Sequence, residues 1–296
     1  MVLKALNLGT VLFLRFLGAE RVAIRIGPVR LVYYRLGPAD GEPWLLLHGL
    51  GAVASTWAPV LAALRGSCRL LVPELSSLGG TACPGDGLAV RPAVKSLARL
   101  LEREFGGRPA TVAGISLGGW IAVRLALSRP GFVSRLALID AGGYRDQDWD
   151  NIQKLVTVDD MAGVDRLYPA LFVKVPWVMR VSRPGFLQAY TSSAVKGTLA
   201  QLTEEDTFDA DDLARLRMPA ALIWGERDGL FNLETARAMA AALPDSHLKI
   251  LPDCGHAVHI ECPGLLARTL EEFRRETSGR TAPAEELLAA AAGGSR

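Results

Sequence analysis

Residues 111–120 read Thr111-Val112-Ala113-Gly114-Ile115-Ser116-Leu117-Gly118-Gly119-Trp120. An apolar run typical of a β-strand ends at Gly114, and a helical pattern begins after Ser116. The serine therefore lies in a tight turn between a strand and a helix, with a glycine two residues away on either side. Such a turn strains the serine backbone and places it at a helix N-terminus, where the helix dipole favours developing negative charge. The pattern predicts that Ser116 is a nucleophile.

Length and composition limit the class of protein. The chain has 296 residues, half of them hydrophobic, and a formal net charge of +2, which indicates a globular domain with an insertion. The sequence contains no lysine- or arginine-rich block and no alternation of basic and aromatic residues, so we expect no nucleic-acid partner. The four histidines and four cysteines lack metal-ligand spacing, and we expect no metal and no cofactor.

Short apolar runs alternate with helical patterns along most of the chain. The predicted strands are Arg21–Ile26, Val29–Arg35, Trp44–Leu47, Arg69–Val72, Ala110–Ala113, Leu136–Ile139, Ala220–Trp224 and His247–Leu251. The predicted helices are Ser55–Leu64, Ala93–Phe105, Leu117–Ser128, Leu233–Leu243 and Pro263–Thr277. This alternation favours an α/β fold with an eight-stranded, mostly parallel sheet that helices cover on both faces.

The alternation stops after the sixth predicted strand. Residues 142–218 contain many large apolar side chains and no clear strand, and we expect them to form a helical cap, or lid, over the strand ends. Residues 20–141 and 219–278 then form the core of the domain. Residues 279–296 are rich in glycine, alanine and serine and are predicted to be a flexible tail.

The N-terminal residues 1–19 are apolar or amphipathic, and Lys4 and Arg15 interrupt them. The uncharged part between these two residues is too short to span a bilayer. Three interpretations stay open: a helix packed on the domain, peripheral contact with a membrane or lipid surface, or a cleaved signal peptide. We expect a cytoplasmic protein, with peripheral membrane association as the alternative and secretion as the less favoured one.

Two of the cysteines, Cys254 and Cys262, flank a candidate histidine. The sequence leaves open whether they pair. Because the four cysteines do not form a recognisable disulfide framework, we take a reducing compartment as the default.

A serine nucleophile needs a base, usually histidine, and the histidine needs a carboxylate that orients it. His256 follows Gly255 in a loop after the last predicted strand, and we predict that it is the base. His259 lies nearer the next helix and is expected only to pack or cap. His48 is expected to shape a loop, and His247 begins a strand.

The candidate carboxylates follow strand ends. Asp228 lies where Leu222-Ile223-Trp224-Gly225 runs into a turn, and we predict that it is the acid. Glu226 is an alternative, expected instead to be a solvated turn residue paired with Arg227. Asp140 is a second alternative, expected instead to form a turn or cap at the end of its own strand.

Backbone donors and a pocket complete the predicted site. The N–H groups of Leu50 and Leu117 are expected to form an oxyanion hole, in which each donor contributes about 3–4 kcal/mol to catalysis. The predicted pocket residues are Gly49, Gly51, Trp120, Phe172, Trp177, Met179 and Phe186.

These motifs together resemble the α/β-hydrolase family over residues 20–278. The resemblance rests on Leu46-Leu47-His48-Gly49-Leu50-Gly51, on the turn at Ser116, and on the order Ser116, Asp228, His256. The run Leu171-Phe172-Val173-Lys174-Val175-Pro176-Trp177 and the apolar N-terminus resemble bacterial lipases and monoacylglycerol-lipase-like enzymes. Many members carry Asp-x-Pro-Gly-x-Gly where this chain reads Pro73-Glu74-Leu75-Ser76-Ser77-Leu78-Gly79-Gly80, so we expect a loop of different shape there.

The resemblance implies a serine hydrolase that cleaves carboxylic esters with short to medium acyl chains, monoacylglycerols among them, through an acyl-enzyme on Ser116. Serine at the turn argues against haloalkane dehalogenases and soluble epoxide hydrolases, whose nucleophile is aspartate.

C–C hydrolases of meta-cleavage products and cofactor-free haloperoxidase-like enzymes remain alternatives. Lys174, Arg180 and Arg183 could bind the carboxylate that the first alternative requires. A non-catalytic binding module is the least expected. The expected partner is a small-molecule ester, and the oligomeric state is left open.

Overall fold

The computed structural model describes residues 11–280 and contains one eight-stranded sheet there. All eight predicted strands are present and slightly longer than predicted. They are β1 (Glu20–Ile26), β2 (Val29–Leu36), β3 (Glu42–Leu47), β4 (Cys68–Pro73), β5 (Ala110–Ile115), β6 (Val133–Ile139), β7 (Ala220–Gly225) and β8 (Ser246–Leu251).

The strand order is β1-β2-β4-β3-β5-β6-β7-β8. The pairs β1–β2 and β2–β4 are antiparallel, and every later pair is parallel. Strands β5 and β6 are buried along their whole length, which explains their nearly continuous apolar sequences. In register, Leu47 lies opposite Gly114, and Ile115 lies opposite Ile139. The loops that leave β3, β5 and β6 therefore emerge side by side at one edge of the sheet.

Helices cover both faces of the sheet, as predicted. The described helices are α1 (Ala58–Leu64), α2 (Val90–Phe105), α3 (Leu117–Ser128), α4 (Trp149–Val156), α5 (Met161–Leu171), α6 (Trp177–Val181), α7 (Arg183–Tyr190), α8 (Ser193–Ala200), α9 (Ala210–Ala214), α10 (Leu233–Ala242), α11 (Val258–Glu261) and α12 (Pro263–Glu276). The predicted helix Ser55–Leu64 is divided into a short 3-10 helix, Ala54–Trp57, and α1, which has a proline in its first turn.

Two hydrophobic cores lie on opposite faces of the sheet. One contains the buried sides of α2, α3 and α10, and it continues into the helices between β6 and β7. The other contains α1 and α12 together with Leu14 and Leu17. Helices α4–α9 follow β6 and precede β7, so the cap is inserted after the sixth strand, as predicted.

The N-terminal segment is helical over residues 11–16. Leu14 and Leu17 are buried against the core, whereas Leu12 and Phe16 are exposed. The rest of the predicted segment, residues 1–10, and most of the predicted tail, residues 281–296, lie outside the described residues. Within residues 11–280, no helix has both the length and the hydropathy that crossing a membrane would require.

Candidate active site

Ser116 lies between β5 and α3 with φ 55° and ψ −119°, a strained conformation for a residue with a side chain. Its N–H donates to the carbonyl of Ile139 at 3.0 Å, and its carbonyl accepts from the N–H of Gly142 at 3.1 Å. A Cβ atom on Gly114 would overlap the backbone of Gly118, and a Cβ on Gly118 would overlap that of Leu47. The neighbouring glycines are thus required for the close approach of β3, β5 and α3.

The structure brings together the predicted histidine and acid. His256 Nδ1 lies 2.9 Å from Asp228 Oδ2, and both side chains are almost completely buried. The other carboxylate oxygen, Asp228 Oδ1, accepts the N–H groups of Leu230 at 2.8 Å and Phe231 at 2.9 Å. The ring of Phe231 packs edge-on against the imidazole, with 5.0 Å between ring centroids. These contacts hold the imidazole in one orientation.

The alternative acid, Asp140, lies next to this pair and is completely buried. Its Oδ1 accepts the N–H of Gly225 at 2.8 Å, while Oδ2 has no hydrogen-bond partner in the part of the chain that the structure describes. Burial and the adjacent charge of Asp228 raise the pKa of the Asp140 carboxyl well above its usual range. The shift favours the protonated form of Asp140, whose side chain reaches the neighbouring strand β7 through Gly225.

The other alternative, Glu226, is exposed, and the hydrogen bond of its carboxylate is made with Asp253 and not with His256. Its carboxylate accepts the N–H of Asp253 at 3.0 Å. The expected pairing of Glu226 with Arg227 is not the one observed, because Arg227 instead contacts the carboxylate of Asp253 at 3.1 Å.

The loop after β3 passes directly against the serine. A Cβ atom on Gly49 would lie 3.3 Å from the Cβ of Ser116 and 3.8 Å from its Oγ. Leu50 follows at once, and Leu117 is the first residue of α3, where the N–H group has no partner inside the helix. Both predicted backbone donors thus belong to segments that adjoin Ser116.

His48 and Glu74 give this loop its shape. The ring of His48 donates from Nδ1 to the carbonyl of Gly49 at 2.9 Å and accepts at Nε2 from the N–H of Leu75 at 3.0 Å. Burial lowers the pKa of His48 to about 4, so the ring is neutral. Glu74 accepts the N–H of Ala54 at 2.9 Å, and burial raises the pKa of Glu74 to about 7.

Glu74 stands where the resemblance led us to expect an aspartate, and Ser76 where it led us to expect the start of a glycine turn. A Cβ atom on Gly79 would overlap the carboxylate of Glu74, so the glycine of the following turn leaves room for the longer side chain. The sequence predicted a different loop here but not that Glu74 would reach Ala54 on the neighbouring loop.

A cavity of about 1020 Å³ opens above Ser116 and His256. Its walls are largely apolar, and they include six of the predicted pocket residues: Gly49, Gly51, Trp120, Phe172, Met179 and Phe186. The prediction for Trp177 is wrong, since its side chain is 76% exposed and does not line the cavity. Trp177 is the first residue of α6 after Pro176, and the next two residues, Val178 and Met179, face the cavity instead.

Sequence reasoning missed Glu261, which ties the histidine loop to the cap. Its carboxylate accepts the N–H groups of Gly255 at 2.8 Å, Val173 at 3.2 Å and Lys174 at 2.6 Å. An acidic residue five positions after the candidate base was the available signal. A carboxylate at the end of the short helix α11 can turn back onto the loop that precedes the helix.

The structure answers the question that the sequence left open for the cysteines. Cys254 and Cys262 form a disulfide whose Cα atoms are 6.3 Å apart. The bridge closes the segment that contains both His256 and His259. Within the described residues, the remaining cysteines, Cys68 and Cys83, are free thiols.

One group of side chains has the composition of a metal site. Asp140, Asp228 and His256 each offer one ligand atom, and these atoms lie within 4.8 Å of one another. A cation there would compete with the hydrogen bond between His256 Nδ1 and Asp228 Oδ2. Two of the three candidate ligands, Asp228 and His256, are thus engaged with each other in the arrangement that orients the base.

Comparison with known proteins places the chain in a family. The model of the alpha/beta hydrolase family matches residues 44–269. Lipase 1 of Psychrobacter immobilis is 24% identical over 83% of this chain and 80% of its own length. Monoacylglycerol lipase ABHD6 of Mus musculus is 23% identical over 81% of this chain and 77% of its own length. The solved structure of the lip1 protein of Acinetobacter baumannii AYE has a TM-score of 0.82 at 21% identity, covering 93% of this chain and 97% of that one. The chain therefore belongs to the alpha/beta hydrolase family.

Proposed function

We propose that this protein is a serine hydrolase that cleaves carboxylic esters with short to medium acyl chains, monoacylglycerols among them. The observation that carries the proposal is the buried hydrogen bond of 2.9 Å between His256 and Asp228 at a cavity that Ser116 also lines. Relatives named lipase and monoacylglycerol lipase support an ester as the substrate.

In the proposed acylation step, Ser116 Oγ attacks the ester carbonyl while His256 Nε2 accepts the serine proton. Asp228 keeps the proton of the neutral ring on Nδ1, so that Nε2 is the nitrogen free to act as the base. The charge that develops on the carbonyl oxygen is stabilised by the N–H groups of Leu50 and Leu117. His256 then donates its new proton to the leaving alcohol.

In the proposed deacylation step, water takes the place of the alcohol. His256 removes a proton from the water, the resulting hydroxide attacks the acyl carbon, and the Ser116 oxygen leaves with the proton from His256. The acid is released and the serine is regenerated. No group outside Ser116, His256, Asp228 and the two backbone donors is needed to balance the cycle.

The walls of the cavity support an acyl chain as the main source of binding energy. Phe172, Met179, Phe186 and Leu199 are among the apolar side chains that line it. Each buried methylene contributes about 0.8 kcal/mol, so the six methylenes of an octanoyl chain contribute about 5 kcal/mol. That is more than a few ordinary hydrogen bonds contribute together.

The basic side chains considered for a C–C hydrolase do not support that alternative. Of the described residues that line the cavity, none is Lys174, Arg180 or Arg183. The guanidinium of Arg180 donates to the carbonyl of Val175, and that of Arg183 pairs with Asp165. Arg145 does line the cavity, but its guanidinium pairs with Asp209 at 2.6 Å. A dienoate carboxylate would therefore lack the three cations that were expected to bind it.

The surface and the disulfide bear on where the protein works. Phe13 lines the cavity and is 41% exposed, and Phe16 beside it is 83% exposed, which supports peripheral lipid contact through residues 1–19. The pairing of Cys254 and Cys262 favours an oxidising compartment over the cytoplasm that the sequence led us to expect.

The test is a chain-length series of p-nitrophenyl esters, assayed beside a meta-cleavage product. We expect turnover of the esters, a maximum at short or medium chains, and fluorophosphonate labelling that the Ser116→Ala variant abolishes. Ester turnover no faster than the buffer blank, with labelling absent in the wild type, would overturn the proposal. Preferential turnover of the meta-cleavage product would establish the alternative.

A further inference from the structure

The cavity at Ser116 reaches over both faces of the sheet. Ser116 follows β5, which lies near the middle of the strand order. Phe13 and Pro59 line the cavity from the N-terminal helix and from α1, which belong to the core on one face. Trp120 lines it from α3, which belongs to the core on the other face. The cavity therefore has two arms that meet at the serine.

We name each arm after the helix that borders it. On the α1 side, α11 packs against the 3-10 helix Ala54–Trp57, which leads directly into α1. On the α3 side, Trp120 Nε1 donates to the carbonyl of Asp206, and the amide of Gln201 donates to that of Gly87, just before α2. These bonds tie the end of α8 and the segment after it to the face that α2 and α3 cover. The α1 arm is thus lined by Phe13, Thr56, Ala58, Pro59 and Ile260, and the α3 arm by Trp120, Trp149, Ile152, Leu199 and Leu202.

The α3 arm presents an apolar surface to a ligand. The rings of Trp120 and Trp149 lie 5.3 Å apart between centroids. The indole N–H of Trp149 donates to the carbonyl of Arg145 at 3.1 Å, and that of Trp120 is engaged with Asp206. Because both indole donors are occupied, the rings offer carbon atoms to the arm, as do the aliphatic side chains of α4 and α8 that line it. Such a wall suits an alkyl chain.

The α3 arm also has a polar opening. Four exposed polar residues of the cap line the cavity beside α4 and after α8, namely Gln153, Thr157, Thr203 and Glu204. A chain in this arm therefore gains burial only until it reaches these side chains and water. The opening supports a limit on the length of chain that the α3 arm prefers.

The α1 arm is largely apolar as well. Its wall is formed mainly by Phe13, Pro59 and Ile260. Thr56 adds a hydroxyl, which donates to the carbonyl of Val53 at 2.8 Å, so its proton is already engaged. The α1 arm can therefore hold a second alkyl chain.

The base indicates which half of an ester lies in which arm. His256 donates the proton with which the alcohol leaves, so the alkoxy oxygen must lie beside its ring. From His256 the chain continues through Ala257 into α11, and Ala257 and Ile260 line the cavity there. The wall beside the base is therefore the wall of the α1 arm. The acyl substituent occupies another corner of the reacting carbon, toward the α3 arm, where Trp120 lies one turn after Ser116.

We propose that an ester lies across Ser116 with its acyl chain in the α3 arm and its alcohol chain in the α1 arm. The enzyme then accepts esters of medium-chain alcohols, in which both halves are alkyl chains. Leu199 limits the length of the acyl chain, and Ile260 limits that of the alcohol chain. This inference rests on the proposed ester hydrolysis and adds a substrate class and two specificity residues.

The experiment compares the isomers methyl octanoate and heptyl acetate, which carry the long chain in opposite halves of the ester. Leu199 and Ile260 are both half-buried aliphatic residues, so the same substitution can be made in each arm. We expect Leu199→Trp to lower the ratio of kcat/KM for methyl octanoate to kcat/KM for heptyl acetate at least about tenfold, the binding contribution of about two methylenes. Ile260→Trp should raise this ratio by a similar factor.

Val181→Trp is the matched control, because Val181 is 52% exposed and lies outside the described lining of the cavity. Its ratio should equal that of the wild type. Shifts in the opposite directions overturn the inference, and so does a ratio that either substitution in an arm leaves at the wild-type value.

A third ester, heptyl octanoate, tests the wild type alone, with all three esters below their solubility limits. Its kcat/KM should be at least equal to that of methyl octanoate, because both arms can be filled at once. A value tenfold lower overturns the inference even if the variants fail to fold. Hydrolysis of none of the three esters by the wild type would instead refute the proposed function itself.

Discussion

Replacing Asp228 by asparagine tests the proposed base and acid at a single atom. Asp228 Oδ1 accepts two backbone N–H groups, and Oδ2 faces His256 Nδ1. An asparagine in this position must turn its carbonyl oxygen toward the N–H groups of Leu230 and Phe231, because its NH₂ group cannot accept them. The NH₂ group then faces His256 and donates to Nδ1.

The consequence is a change of tautomer. With Nδ1 accepting a hydrogen bond, the proton of the neutral ring moves to Nε2, the nitrogen that should accept the proton of Ser116. The corresponding substitution in serine proteases lowers kcat by about 10⁴-fold. The two backbone hydrogen bonds of Asp228 survive in the variant, so we expect a loss of similar size, about 5 kcal/mol in activation free energy, with little change in stability.

The assay is hydrolysis of p-nitrophenyl octanoate, with the circular dichroism and melting temperature of each variant as the measure of folding. Asp140→Asn is the matched control. The raised pKa of Asp140 favours its protonated form, which like an amide has one donor side and one acceptor side, so this variant should keep its activity within about tenfold. Asp228→Asn with activity within tenfold of wild type would refute the reasoning, and an inactive Asp140→Asn beside it would transfer the role to Asp140.

Three further predictions concern residues around the site. Because the pKa of Glu74 is about 7 in the folded protein against 4.5 as its ordinary value, its contribution to stability is complete below pH 4.5 and is lost as the pH rises through 7. Between pH 4.5 and 8, the wild type should therefore lose up to about 3 kcal/mol of unfolding free energy that the Glu74→Gln variant, which cannot ionise there, does not lose. Urea unfolding at several pH values measures this, and parallel profiles for the two proteins would contradict it. In the Glu261→Gln variant, the amide NH₂ group replaces one carboxylate oxygen, so one of the three N–H groups that Glu261 accepts loses a good acceptor. We expect a lower kcat and a modestly lower melting temperature. An unchanged kcat would show that the contact between the histidine loop and the cap is dispensable. Replacing Cys254 and Cys262 together by serine should lower the free energy of unfolding by about 2.5 kcal/mol, the chain-entropy value for so short a loop, and a thiol titration that finds both cysteines reduced in the native protein would contradict the pairing.

The sheet could be predicted because its signal is local. Most core strands are short apolar runs that end at glycine, proline or a polar residue, and the turn at Ser116 fixes where one strand meets the next helix. Boundaries were less accurate because hydrogen bonding extends a strand past its apolar residues. Glu42, for example, belongs to β3 although it is charged, because its backbone pairs with Cys68 in β4.

The parts that could not be predicted depend on contacts between distant segments. The position of Trp177 depends on which face of α6 meets the cavity, and a helix of five residues carries too little periodicity to show this. The reach of Glu74 to Ala54 depends on how close two loops lie across the sheet edge. Cys254 lies in the loop before α11, and Cys262 lies directly after this helix. Whether they pair depends on how that loop is placed against the end of α11, since the spacing alone is compatible with two free thiols.

The choice between Asp140 and Asp228 shows what the structure adds to such reasoning. Both aspartates follow neighbouring parallel strands, so sequence position gives each of them access to the same histidine. Two carboxylates this close in a buried site cannot both carry a charge at low cost. Asp228 accepts two N–H groups and the imidazole, whereas Asp140 accepts one N–H group. More donors thus stabilise a carboxylate at Asp228 than at Asp140, and burial beside Asp228 raises the pKa of Asp140. The number of hydrogen-bond donors that reach each carboxylate thus distinguishes the acid that orients the base from its neighbour.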